Sequence, residues 1–231
     1  MNVEFKARGS RGEVWLYDVI GASFWGDGIT AKSFQKELAA LGKVSTLNVH
    51  INSPGGDVFD GFAIFNQLKQ HPASVEVDVD GVAASIASII AMAADPGKLR
   101  IAKNALMMIH NPQGGAYGDE TELERLIALL KSVKGNLAET YVDRTGNKRG
   151  TVEAWMSEET WFTADAALQH GFVDAVTADS AVTACLDVSG FRNVPDWVKK
   201  RVQASVPQPA LDMRRHRIAD QQQRRLAALA A

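Results

Sequence analysis

Cysteine occurs once in these 231 residues, at Cys185, so no disulfide can form within the chain. A lone thiol suits a reducing compartment. No run is long and apolar enough to cross a bilayer; the most apolar stretch, Ile86 to Ala94, is short and alanine-rich. Met1-Asn2-Val3-Glu4-Phe5-Lys6 lacks the apolar core of a secretory leader, so no membrane association and a cytoplasmic location are expected. No Cys/His cluster has metal-ligand spacing, and no Walker-type phosphate loop is present. Neither a metal nor another cofactor is expected, and any ATP-driven work would need a separate partner chain. No internal repeat occurs, and net charge is only −2.

What is present is an ordinary core-forming composition, 46% hydrophobic, enough for one sizeable core. Strand patterns fall at 13–19, 45–51, 75–79, 99–102, 106–109 and 172–176. Helix patterns fall at 31–41, 58–70, 85–94, 120–141, 152–156 and 163–170. This alternation implies an α/β fold with a mainly parallel sheet covered by helices. Thr163 and Gly171 bracket the last small helix as N-cap and C-terminal stop.

Three segments carry chemistry. Ser85 follows the alternating run Val75 to Asp80 and the small residues Gly81-Val82-Ala83-Ala84. A serine at a strand-to-helix turn is either a helix N-cap or a nucleophile held up beside free backbone N–H groups. Upstream, His50-Ile51-Asn52-Ser53-Pro54-Gly55-Gly56 joins a strand to a helix through paired glycines. Such a turn is either plain or brings an N–H close to a developing anion. Downstream, Leu106 to Ile109 ends in His110, followed by Asn111-Pro112-Gln113-Gly114-Gly115. A neutral imidazole there can take a proton from serine, though a lone histidine is commonly structural. His50, His71, His170 and His216 lack such settings.

Together, Asn52 to Gly56, Gly81 to Ser85 and Met108 to Gly115 resemble the proteolytic subunit family of Clp proteases, in order and in spacing. The resemblance covers roughly residues 12 to 178. It implies the ClpP/crotonase-like ββα superhelix, with Ser85 as nucleophile and His110 as base and then acid. It also implies an oxyanion hole made by the N–H groups of Gly56 and Ile86. A peptide substrate would lie extended beside Gly55, Gly114 and Gly115, pairing as an added strand.

The third triad member departs from the family pattern, which has aspartate. Gap-free alignment puts Glu159 there, with Glu158 and Asp174 as lesser candidates; the other reading is that Glu158 and Glu159 are solvated loop charges. Glutamate can orient a histidine tautomer but needs room for one extra methylene. The wording Glu159-Thr160-Trp161-Phe162-Thr163-Ala164 is similar to ClpP-related head-maturation proteases of tailed bacteriophages. That reading places the enzyme in the host cytoplasm or prohead interior, with capsid or scaffold proteins as partners. The alternative is a housekeeping subunit with a Clp-type ATPase partner. A catalytically silent assembly partner and a crotonase-type acyl-CoA enzyme are the further readings; the latter has no need of a serine–histidine pair.

Leu123, Leu126, Ile127, Leu130, Val133 and Leu137 form an apolar face on the helix 120–141. By resemblance this helix joins stacked rings, so a homo-oligomer of heptameric rings is expected. The protease domain is assigned to residues 1–179 and a basic, partly helical tail to 180–231. Residues 191–231 carry nine Lys or Arg against three Asp or Glu, which suits an acidic or nucleic-acid partner or simply a solvated tail. Helices are expected from Pro195 to Arg201 and from Leu211 to Ala231.

Overall fold

The computed structural model describes residues 3–22, 28–182 and 190–205. The chain divides into a compact unit, Met1–Val194, and a second unit, Pro195–Ala231. In the second, the described element is helix α7 (Asp196–Ser205), where the basic helix was expected. The helix expected over 211–231, Cys185 and His216 lie outside the described residues.

Among the described residues, the compact unit has eight strands: β1 (Val3–Arg8), β2 (Arg11–Leu16), β3 (Thr46–Ser53), β4 (Ser74–Ala84), β5 (Leu99–Ala102), β6 (Leu106–Ile109), β7 (Thr160–Thr163) and β8 (Ala175–Thr177). The helices described with them are α1 (Ala31–Ala40), α2 (Val58–Lys69), α3 (Ile86–Ala91), α4 (Glu120–Thr145), α5 (Arg149–Glu158) and α6 (Ala164–Gln169). The path β1-β2-β3-β4-β5-β8 forms one sheet, with β6 paired to β4 and β7 to β6.

The expected mainly parallel sheet is corrected to a mixed one. β1 runs antiparallel to β2 because residues Gly9 and Ser10 alone join them, and a link that short permits only a hairpin. β7 runs antiparallel to β6 from Leu106↔Thr163 to Ile109↔Thr160. The pairings from β2 through β5 and β8, and of β4 with β6, are parallel.

β4 organises the molecule. Val75, Val77 and Val79 point into the core, while Glu76, Asp78 and Asp80 are half-buried on the other face. Up to Val79 it pairs with β5; from Val82 to Ala84 it pairs with β6 instead. The small residues at 81–84 thus extend the strand past the expected end at Val79. The register of β3 on β4 shifts between Ile51 and Ser53, and Ser53 then lies opposite Ala83. In consequence β3, β4 and β6 all end at one level, and the chain leaves them at Pro54, Ser85 and His110. Crevices beyond the carboxyl ends of parallel strands are where open α/β sheets bind ligands.

Helices α2 and α3 pack on the core face close together. Gly61 of α2 is buried, and a β-carbon there would stand 2.1 Å from Cγ1 of Ile86. Asp57 caps α2 through the N–H groups of Phe59 and Asp60, both at 2.9 Å. On the opposite sheet face the outward residues form a charged network. Arg100 grips Asp78 with Nε and Nη2 at 2.6 and 2.9 Å. His50 stacks on Trp15 at 5.3 Å, with Nδ1 2.8 Å from Asp80 and Nε2 3.2 Å from Glu13. His50 is therefore a structural histidine, as its place inside a strand suggested.

Candidate active site

Ser85 sits between β4 and α3 with φ 55° and ψ −130°. Those are the dihedrals of the first corner of a type II′ turn, a conformation glycine ordinarily takes. Its own N–H is fixed by the Met108 carbonyl at 2.9 Å. The serine side chain makes no N-cap bond, so of the two readings of this position the capping one is not observed. Its hydroxyl instead lies 2.8 Å from Nε2 of His110. Beneath it, Ser88 Oγ donates to the Ser85 carbonyl at 2.6 Å and meets the buried Tyr141 hydroxyl at 2.7 Å.

The Gly55–Gly56 turn is tied to the segment before α1. Ile20 N–H donates to the Gly55 carbonyl and Asp57 N–H to the Ile20 carbonyl, each at 2.8 Å. Gly56 has φ 147°, and a β-carbon there would fall 2.0 Å from the Ile20 oxygen, so only glycine fits. Among the described backbone pairings, neither Gly56 N–H nor Ile86 N–H is spent. Ile86 opens α3, where a helix leaves its N–H groups without partners.

Of the three acids considered, Glu159 is the one beside His110: Oε2 lies 3.8 Å from Nδ1. This is an electrostatic contact, longer than a hydrogen bond. Glu159 is only 5% exposed and occupies the left-handed region, φ 52°, at the end of α5. Glu158 is exposed. Asp174 is engaged elsewhere, accepting from Leu99 N–H at 2.8 Å and from Arg144. Gln113 Nε2 also approaches His110 Nδ1, at 3.5 Å.

Burial holds the His110 imidazole below the usual histidine range. The Glu159 charge raises its pKa, the Arg192 charge lowers it, and the net displacement is downward. A neutral imidazole hydrogen-bonded to a hydroxyl can accept its proton.

A cleft of about 440 Å³ opens over Ser85 and His110, walled by Gly55, Gly56, Pro112 and Gln113 on one side and by Gly190 and Phe191 on the other. Gly114 and Gly115 line a neighbouring hollow of about 270 Å³, which shares Gly56, Val58, Pro112 and Gln113 with the cleft. The two hollows run on from one another along the 112–115 loop.

Sequence reasoning missed the part played by residues 190–194, which it assigned to the tail. Arg192 and Asn193 N–H groups donate to the two oxygens of Glu159, at 3.0 and 2.9 Å. Backbone donors leave no signature in a sequence. The Phe191 side chain, an aromatic in a polar stretch, was the available signal.

Known proteins show the same kinship. The family described as Clp protease matches residues 27–180. The ATP-dependent Clp protease proteolytic subunit 1 of Protochlamydia amoebophila is 38% identical over 128 residues, covering 54% of this chain and 62% of that protein. The proteolytic subunit of Bacteroides fragilis is 31% identical over 153 residues, covering 65% and 74%. Subunit 1 of Chlamydia trachomatis is 30% identical over 161 residues, covering 66% and 84%. With two thirds of its length matched by the family, and the serine, histidine and glycine motifs inside that stretch, this chain belongs to the Clp protease family of serine peptidases.

Proposed function

We propose that this chain is a serine endopeptidase that cuts peptide bonds with Ser85, His110 and Glu159. The observation that carries the reading is the 2.8 Å hydrogen bond between Ser85 Oγ and His110 Nε2, in a cleft lined by Gly56, whose N–H is unspent among the described backbone pairings. Ser85 Oγ attacks the scissile carbonyl while His110 takes its proton. The N–H groups of Gly56 and Ile86 receive the oxyanion. The imidazolium then protonates the leaving amine, and water attacks the acyl-enzyme by the same route. Glu159 fixes the histidine tautomer and offsets the imidazolium charge. Gly55, Gly114 and Gly115 edge the path of an extended substrate, whose backbone pairs with theirs.

Members of this family form oligomeric rings and work with Clp ATPases. Leu123, Ile127 and Leu129 stand exposed on the first half of α4, apolar surface suited to a second copy of the chain in stacked, heptameric rings. The relatives' names favour an ATP-dependent proteolytic subunit over head maturation in a prohead. The 3.8 Å gap between Glu159 and His110 favours a triad that tightens on assembly.

The test is labelling with a fluorophosphonate probe. Wild type is expected to label, and Ser85→Ala and His110→Ala to be silent. An assembled oligomer that does not label, or a Ser85→Ala protein that still cleaves peptides, overturns the assignment. Degradation of a folded protein only with a Clp ATPase and ATP supports the housekeeping role; ATPase-independent cleavage of capsid or scaffold protein points to maturation.

A further inference from the structure

The match to the family covers residues 27–180, yet the carboxylate beside His110 is held by residues beyond that stretch. A buried carboxylate needs donors on its oxygens, and charge-assisted bonds are the strong ones. Here each oxygen of Glu159 receives one backbone N–H, Oε2 from Arg192 and Oε1 from Asn193. Asn193 Nδ2 also donates to the Glu158 carbonyl at 2.8 Å, gripping the turn that carries the acid. The Phe191 ring meets Trp161 edge-on at 5.4 Å and lies 5.9 Å from the His110 ring. Trp161 is itself buried and follows Glu159 by two residues.

These contacts solve a problem that glutamate creates. Its side chain has one more rotatable bond than aspartate, and rotamer freedom must be removed before the carboxylate can face Nδ1. Among the described residues, the Arg192 and Asn193 amides are the hydrogen-bond donors that fix it.

We propose that Phe191–Asn193 is a positioning element of the active site, its two backbone amides aiming the Glu159 carboxylate at His110. The proposal rests on the reading of Ser85, His110 and Glu159 as a triad. It sets residues 191–193 apart from a dispensable tail.

The experiment removes one N–H at a time in the full chain. Asn193→Pro deletes the donor to Oε1, and Arg192→Pro the donor to Oε2. Asn193→Ala keeps the N–H but, like Asn193→Pro, loses the Nδ2 bond to the Glu158 carbonyl, so the pair isolates the amide donor. Expected for each folded proline variant is a fall in kcat of roughly ten-fold or more with KM little changed, while Asn193→Ala, which retains the amide donor, loses clearly less than Asn193→Pro. The acid limb of the pH–rate profile moves to lower pH, because the carboxylate that raises the His110 pKa is no longer held near it. In a Glu159→Gln background Asn193→Pro costs nothing further, since both changes act through one carboxylate. Additive losses, or folded proline variants with wild-type kcat and pH profile, overturn the proposal while leaving the triad reading intact. Ser85→Ala turnover overturns the triad reading instead. If both proline variants fail to fold, Arg192→Gln decides: its exposed charge lowers the His110 pKa, so its loss moves the acid limb upward. An unmoved limb would mean the segment does not lie beside His110 in the working enzyme, and would overturn the proposal.

Discussion

Ser85 and Glu159 share one backbone peculiarity. Among the described residues they are the two non-glycine positions with positive φ, at 55° and 52°. Strained residues of this kind cost on the order of 1–3 kcal/mol each and gather at functional sites. Both flank His110, one at each ring nitrogen.

The strain at Ser85 separates activity from stability. Ser85→Ala and Ser85→Gly are both expected to lose peptide hydrolysis. Only the glycine variant is freed of the backbone penalty, so it should be more stable than Ser85→Ala by about 1 kcal/mol. Urea unfolding of the two inactive proteins checks this; equal midpoints would remove the strain argument.

Removing the acid's charge should matter at one of two adjacent positions. Glu159→Gln is expected to lower kcat by at least ~100-fold, the scale seen when a triad acid loses its charge. Glu158→Gln, on an exposed side chain, should change kcat less than about three-fold. Steady-state kinetics on a short peptide distinguish them, and a reversed order would move the third role away from Glu159.

Activity should persist into mildly acid solution. Because burial depresses the His110 pKa below 6.5, the base stays neutral below that pH. The acid limb of kcat/KM is expected to have its midpoint under 6.5. In Glu159→Gln it should fall lower still, as the charge that raises the pKa is gone. A midpoint above 6.5 in wild type would contradict the buried setting of the ring.

His50 supplies a pH dependence of stability with the opposite sign. Burial pulls its pKa down, but Asp80 and Glu13 outweigh burial and leave it raised. The folded state therefore binds this proton more tightly than the unfolded state. The stabilisation is full below about pH 6.5, the unfolded value, and is lost as pH rises through the folded one. Denaturation series on wild type and His50→Gln should converge as pH rises above that window. A difference that grows with pH would exclude a charged His50 between the two carboxylates.

Much of this arrangement was legible in the residues. Pro54, Gly55 and Gly56, the small run before Ser85, and His110 after Leu106–Ile109 each mark a strand end. Covalent order plus hydrophobic pattern is enough to find such turns. Three things were not legible. β7 is four residues long, too short for a period to declare itself, and it appears because Ile109 and Thr160 pair across the sheet. β1 alternates Val3, Phe5 and Ala7 with charged residues, yet its partner lies only across a hairpin. The grip on Glu159 comes from main-chain amides 33 and 34 positions later, and main chain is the same at every position.

The bare α-carbon of Gly61 has a reach beyond its own helix. Position 61 does not line the cleft, but it sets how near α2 comes to Ile86, whose amide directly follows Ser85 at the start of α3. Added volume there is converted into misaim rather than mere crowding. Gly61→Ala is expected to destabilise the fold by ~1–3 kcal/mol through overpacking. It should also lower kcat in whatever fraction stays folded, as measured by turnover per labelled serine. Position 61 thus behaves as a shim: the tolerance of the chemistry, tighter than that of the fold, decides which residue can stand there.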